Sequence, residues 1–125
     1  ELIAEGIKKS IYMLAAILSN DVYAQKHNEK CILAIEEPDA GLHPALIKKI
    51  VEVIEQSKNI FVISTHNPFS LSYFINSKLR EDELKIFGVK KKEEGTILRE
   101  ISLQKAGELL MDSQEILEDW DRLVE

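Results

Sequence analysis

The sequence predicts an α/β domain with a parallel βαβ core, followed by a short hairpin and C-terminal helices. Three observations carry that prediction. Two unbroken apolar runs, Ile32-Leu33-Ala34-Ile35 and Ile60-Phe61-Val62-Ile63, have strand length and the composition of parallel strands covered on both faces. Between them Leu46, Ile47, Ile50, Val51 and Ile54 recur at the three- and four-residue spacing of a helix. Both runs also end in polar residues, Glu36-Glu37 and Ser64-Thr65-His66-Asn67. Two neighbouring strands therefore deliver functional groups at their C-terminal ends, where open parallel sheets bind their ligands.

The first element is an amphipathic helix from about Ala4 to Ser19, with Ile7, Ile11, Leu14, Ala15 and Leu18 as its apolar stripe. The polar stretch Asn20–Lys30 ends it and loops back. Pro44 suits the first turn of the next helix, which runs to about Gln56. The strand Ile60–Ser64 then closes the βαβ unit, right-handed by the general rule for such crossovers. Pro68 starts a short helix through Phe74. Beyond Asn76-Ser77 the character changes: Leu84–Val89 and Thr96–Ile101 are β-prone and flank Lys90–Gly95, which predicts a hairpin. Ser102 can cap a helix through Leu110. Asp112 and Glu115 have the form of a capping box, and Ile116, Leu117, Trp120, Leu123 and Val124 give the last helix one apolar stripe.

Composition narrows the function classes. Hydrophobic and charged fractions of 45% and 30% are those of a soluble globular protein, and 125 residues can bury a real core. The apolar runs stop short of the ~20 residues of a membrane span, and no signal peptide is visible. A single cysteine, Cys31, excludes an intrachain disulfide and fits a reducing cytoplasm. The net charge of −6 belongs to the tail: residues 1–107 carry 15 acidic and 15 basic side chains, whereas seven acids face one arginine from Glu108 on. That segment is a poor nucleic-acid surface. Lys8-Lys9, Lys48-Lys49 and Lys90–Lys92 read as solvated helix faces and a turn rather than a DNA patch. The chain opens on Glu1 and enters a helical pattern at once, as a fragment or a processed product would.

The string Ile32-Leu33-Ala34-Ile35-Glu36-Glu37-Pro38-Asp39-Ala40-Gly41-Leu42-His43-Pro44 resembles the Walker B strand and D-loop of ABC-type ATPases. Phe61-Val62-Ile63-Ser64-Thr65-His66-Asn67-Pro68-Phe69 resembles their histidine switch. The Gly-Leu-His-Pro ending is more like the soluble OLD, RecF and SMC-like branch, with its AAA relatives in defence and repair, than the membrane transporters. The resemblance covers roughly residues 3–75, with both motifs in the family's order and at its separation. It implies the C-terminal half of a P-loop NTPase (ABC-ATPase-like) domain. Residues 1–125 would be a single partial ATPase domain, with the motif-bearing core over 1–76 and the hairpin and C-terminal helices over 77–125.

Phosphoryl transfer to water needs phosphates held in place, magnesium to neutralise them, and a carboxylate to orient the attacking water. By the resemblance, Glu36 stands at the Walker B acid position and contacts magnesium directly or through water. Most members have aspartate there, one methylene shorter. Glu37 matches the catalytic glutamate that polarises the water, and His66 the switch histidine that contacts the γ-phosphate. Asp39, Gly41 and His43 lie in the D-loop, which in the family crosses to the partner subunit. Gly41 can supply the positive φ of a tight turn, and His43 stands where transporters usually have aspartate. Ala4-Glu5-Gly6 resembles the end of the signature motif, which presents a helix N-terminus and a serine hydroxyl to the γ-phosphate of the opposite subunit. Alanine here replaces that serine. The implied cofactors are ATP and Mg2+, and the implied partners are the nucleotide, a missing N-terminal half, a second head in a homodimer, and DNA.

Other chemistries are less well served. His43 and His66 could gather with Glu36, Glu37 and Asp39 around a metal, but no HxxxH or HExxH spacing points to zinc. Hard carboxylates suit magnesium held mainly by phosphate oxygens. No Gly-x-Ser-x-Gly or Cys/His pair suggests a nucleophile. The phosphate-cradling Gly-x-x-x-x-Gly-Lys-Ser/Thr loop occurs nowhere in the chain, and the Gln-loop region is missing too. Alone, the chain is expected to bind ATP weakly if at all. Three alternatives stay open: a transporter ATPase subunit, a non-catalytic dimerisation or regulatory module, and a head fused to a nuclease effector. The lack of LSGGQ weighs against the first.

Overall fold

The computed structural model describes residues 2–111, with side chains from residue 5 onward. Its elements are α1 (Leu2–His27), β1 (Ile32–Glu36), α2 (Pro44–Gln56), β2 (Ile60–Ser64), α3 (Pro68–Ile75), β3 (Ile86–Lys92), β4 (Gly95–Ile101) and α4 (Leu103–Met111). The expected capping box at Asp112 and the apolar stripe from Ile116 to Val124 lie outside the described residues. The chain divides into two units, Glu1–Tyr73 and Phe74–Glu125.

In the first unit β1 and β2 pair in parallel, from Ile32 opposite Ile60 to Glu36 opposite Ser64. α2 connects them. Pro44 opens it, and the Nδ1 of His43 caps it by accepting the Ala45 N–H at 3.2 Å. Four residues of its predicted stripe are buried, Ile47, Ile50, Val51 and Ile54, while Leu46 is half-buried. Leu33, Met13 and Ile17 complete the buried apolar set of this unit. Side chains of this kind each contribute about 1.5–3 kcal/mol when fully buried.

α1 departs from expectation in two ways. It continues to His27 rather than ending near Ser19. Asn20 and Ser19 do not break it, because both turn their side chains back onto the Ala16 carbonyl, at 2.8 and 3.1 Å. The helix stops where Asn28 adopts φ 54° and the Glu29 N–H bonds the Ala24 carbonyl at 3.1 Å, a Schellman ending. The second departure is the stripe. Gly6, Ser10, Met13 and Ile17 are buried, whereas Ile7, Ile11 and Leu18 are 49%, 60% and 59% exposed. α1 carries apolar residues on two sides, and spacing alone named the outer one.

The strands correct the same kind of expectation. Successive residues point to opposite faces. α1 packs on the Leu33 and Ile35 side, where Ile35 shares a groove with Tyr12 and Met13. On the other side Ile32, Ile60 and Val62 are 69%, 48% and 60% exposed. The described residues therefore cover one face of the ribbon, not both. α1 runs antiparallel to β1. Lys9 Nζ reaches the Glu37 carbonyl at one end of the strand, and the Asn20 carbonyl lies 3.7 Å from Cys31 Sγ at the other. Asp21 secures that second end: Ser57 Oγ and Asn59 Nδ2 donate to its carboxylate, and Asn59 Oδ1 accepts the Cys31 N–H at 2.8 Å.

In the second unit β3 and β4 form an antiparallel hairpin from Ile86 opposite Ile101 to Lys92 opposite Gly95. Only Glu93-Glu94 remain between the strands, so the loop is tighter than Lys90–Gly95, and Gly95 takes the φ of 144° that this needs. Lys85 Nζ bonds Glu100 Oε1 at 3.0 Å, and that hydrogen bond and charge raise the ammonium above its ordinary 10.5. Ser102 caps α4 as predicted, its hydroxyl accepting the Lys105 N–H at 3.3 Å.

Candidate functional site

The site is built where β1 and β2 end. Pairing runs one residue past β1, with the Glu37 N–H donating to the Ser64 carbonyl at 2.8 Å. Glu37 then takes φ 43°, a left-handed conformation unusual for a residue with a Cβ, and the chain turns sharply into Pro38 and Asp39. This reversal aims the Glu37 carboxylate across to the loop after β2, where Oε1 meets His66 Nδ1 at 2.7 Å. Glu37 is 42% exposed and His66 76% exposed, so the pair opens to solvent. Glu36 ends β1 on the bare face of the ribbon and is exposed.

The turn beneath the pair is fixed by hydrogen bonds. Asp39 is 6% exposed, and its Oδ1 accepts the Thr65 hydroxyl at 2.9 Å. Thr65 Oγ1 in turn accepts the Asn67 N–H at 3.0 Å, and Asn67 Oδ1 caps α3 through the Phe69 N–H at 2.9 Å. A buried carboxylate needs partners of this kind. The carbonyls of Glu37 and Asp39 accept the N–H groups of Ala40 and Leu42 at 3.1 and 3.0 Å. Gly41 has φ 75°, the conformation expected of it.

Glu36, Glu37, Asp39, Gly41 and His66 thus share one rim, and Gly6 abuts it: a Cβ on Gly6 would lie 2.6 Å from the Gly41 carbonyl oxygen. Ala4 lies in the first turn of α1, two residues before Gly6. Glu5 is exposed and pairs with Lys8 at 3.4 Å. His43 serves as the α2 cap, a local task that sequence reasoning did not assign to it. Sequence reasoning also passed over Thr65, quoted only as part of its string, and Lys9, read as part of a solvated face. The one available signal for Lys9 was its spacing of three from Gly6 on the same side of a helix.

Three comparisons bear on this geometry. No curated protein matches the chain. The family described as "AAA domain, putative AbiEii toxin, Type IV TA system" matches residues 1–72, more than half of the chain and both strands of the site. The chain belongs to this AAA family. A solved structure from work on the structural biochemistry of ATP-driven dimerization and DNA stimulated activation of SMC ATPases matches with a TM-score of 0.52 and 24% identity. That match covers 73% of this AAA chain and 53% of the other, so the chain spans about half the length of that neighbour. The likeness is one of fold, mixed α/β with a parallel pair of strands.

Among the described residues of this AAA domain, no three His, Cys, Asp or Glu side chains gather into a cation site. The donor set still fits magnesium, which is commonly held by one or two carboxylates together with waters and substrate phosphates. Glu36 offers an exposed carboxylate at the strand end. Among the described residues no helix is long and apolar enough to cross a membrane.

Proposed function

We propose that this AAA domain is the hydrolytic edge of an ABC-type ATPase head, binding and hydrolysing ATP together with an N-terminal half that carries the phosphate-cradling loop. The observation that carries the reading is the 2.7 Å pairing of Glu37 with His66 at the ends of two parallel strands. A half-exposed carboxylate with one oxygen held by imidazole keeps its other lone pairs for a water molecule. Glu37 orients that water, and His66, held at Nδ1 by Glu37, turns its Nε2 toward the γ-phosphate, to which it donates when that nitrogen carries a proton. Glu36 holds magnesium, which when bound neutralises phosphate charge.

Two bare apolar surfaces support the need for a second half. One is the ribbon face of Ile32, Ile60 and Val62; the other is the α1 stripe of Ile7, Ile11, Leu18 and Val22, with Val22 65% exposed. Contiguous exposed apolar surface marks a place that another element covers. In the complete protein, ATP joins two heads face to face, with Glu5, Gly6 and the Asp39–His43 loop near the join, and hydrolysis releases them. The output falls on DNA repair, chromosome maintenance or defence. ATP binding and turnover, measured on this chain alone and on the complete protein, test the reading. Magnesium-dependent turnover confined to the complete protein is expected; a complete protein that neither binds nor hydrolyses ATP contradicts it.

A further inference from the structure

We infer that Lys9 is a positioning residue for Glu37, holding its main chain in the conformation that turns the carboxylate toward His66. Glu37 is doubly awkward where it stands. Its φ of 43° is left-handed, and it precedes Pro38, whose ring pushes the preceding residue toward extended backbone. A residue kept in such a conformation must be held from outside. Its N–H is held by the Ser64 carbonyl at 2.8 Å, which continues the strand pairing. Its carbonyl accepts the Ala40 N–H at 3.1 Å and, from α1, the Lys9 ammonium. Pro38 has no N–H to add to this loop. Lys9 therefore supplies the one charged donor fixing the plane of the Glu37–Pro38 peptide among the described residues, and charge-assisted bonds are the stronger kind.

Lys9 differs from its neighbour in the same pair. Lys8 is exposed and reaches only Glu5, whereas Lys9 is half-buried and spans from residue 9 to residue 37. A second contact one turn earlier acts on the same loop, since Gly6 meets the Gly41 carbonyl with no room for a Cβ. α1 thus holds the segment from Glu37 to Leu42 near both its ends.

The functional half of this inference rests on reading Glu37 as the water-orienting carboxylate; the structural half does not, and the test separates them. Backbone amide exchange is measured by NMR on the 125-residue chain as wild type, Lys9→Met and Lys9→Arg. Methionine keeps an apolar stem and removes the donor. In Lys9→Met the Ala40 and Leu42 amides are expected to exchange about tenfold faster, the loss of one hydrogen bond to a charged group, while those of Ile35 and Val62 stay unchanged. Lys9→Arg restores the loop. Unchanged loop exchange in Lys9→Met, or a uniform rise through both strands, would overturn the inference. In the complete ATPase the same variant lowers kcat and keeps ATP affinity, with recovery in Lys9→Arg. Wild-type inactivity there would count against the reading of Glu37 and leave the exchange result to decide the role of Lys9.

Discussion

Replacing Gly6 by alanine sets two effects against each other. In an ordinary helix interior alanine is favoured over glycine by about 0.8–1 kcal/mol. At position 6 the new Cβ would lie 2.6 Å from the Gly41 carbonyl oxygen and 3.0 Å from Leu42 Cδ2. The first of these is backbone, and the loop that carries it is held by the strand pairing of Glu37, by Asp39–Thr65 and by Lys9. That backbone oxygen cannot retreat cheaply, and such overpacking costs about 1–3 kcal/mol. The net expectation is a loss of up to about 2 kcal/mol. Gly107 in α4 is the internal control. Its Cβ would find only Ile75 Cγ2, at an ordinary 3.9 Å, so Gly107→Ala should gain about 0.5–1 kcal/mol. Urea unfolding followed by circular dichroism measures both. A Gly6→Ala variant as stable as Gly107→Ala would refute the close approach of α1 to the loop, and with it the clamp on Glu37.

Two further substitutions probe the core and the turn. Ile17 is fully buried and Ile11 is 60% exposed, although spacing named the Ile11 side as the core. Ile17→Ala should therefore cost about 2–5 kcal/mol in the same unfolding assay, and Ile11→Ala less than about 0.5 kcal/mol; the reverse order would restore the spacing-based assignment. Thr65→Val keeps the shape and removes the hydroxyl that serves both Asp39 and the Asn67 N–H. A loss of about 1–3 kcal/mol is expected from the orphaned Asp39 carboxylate, and an unaltered midpoint would show that water replaces the hydroxyl.

Much of this fold was legible because its signals are local. β2 was placed at Ile60–Ser64 and α2 was ended at Gln56, since apolar runs and the Pro44 start are written within a few residues. Ser102 was recognised as a cap for the same reason. The misreadings concern which side of an element faces what. Ile7, Ile11 and Leu18 form as regular a stripe as Gly6, Ser10, Met13 and Ile17, and only packing decides between them. The rim of the site was legible in outline because Glu37 and His66 each end an apolar run, and parallel pairing then brings them to 2.7 Å. Lys9 was hard to read: its partner lies 28 residues away, and only its spacing of three from Gly6 sets it apart from Lys8.

The most direct test of the central claim is single-turnover ATP hydrolysis by the complete ATPase, wild type beside Glu37→Gln, with ATP affinity measured on both. Glutamine preserves shape and removes the charge that orients water. The account predicts a fall of about 10²–10⁴-fold in the hydrolysis rate with ATP affinity essentially unchanged. A Glu37→Gln protein that hydrolyses ATP at the wild-type rate would contradict it, whatever the fold resembles.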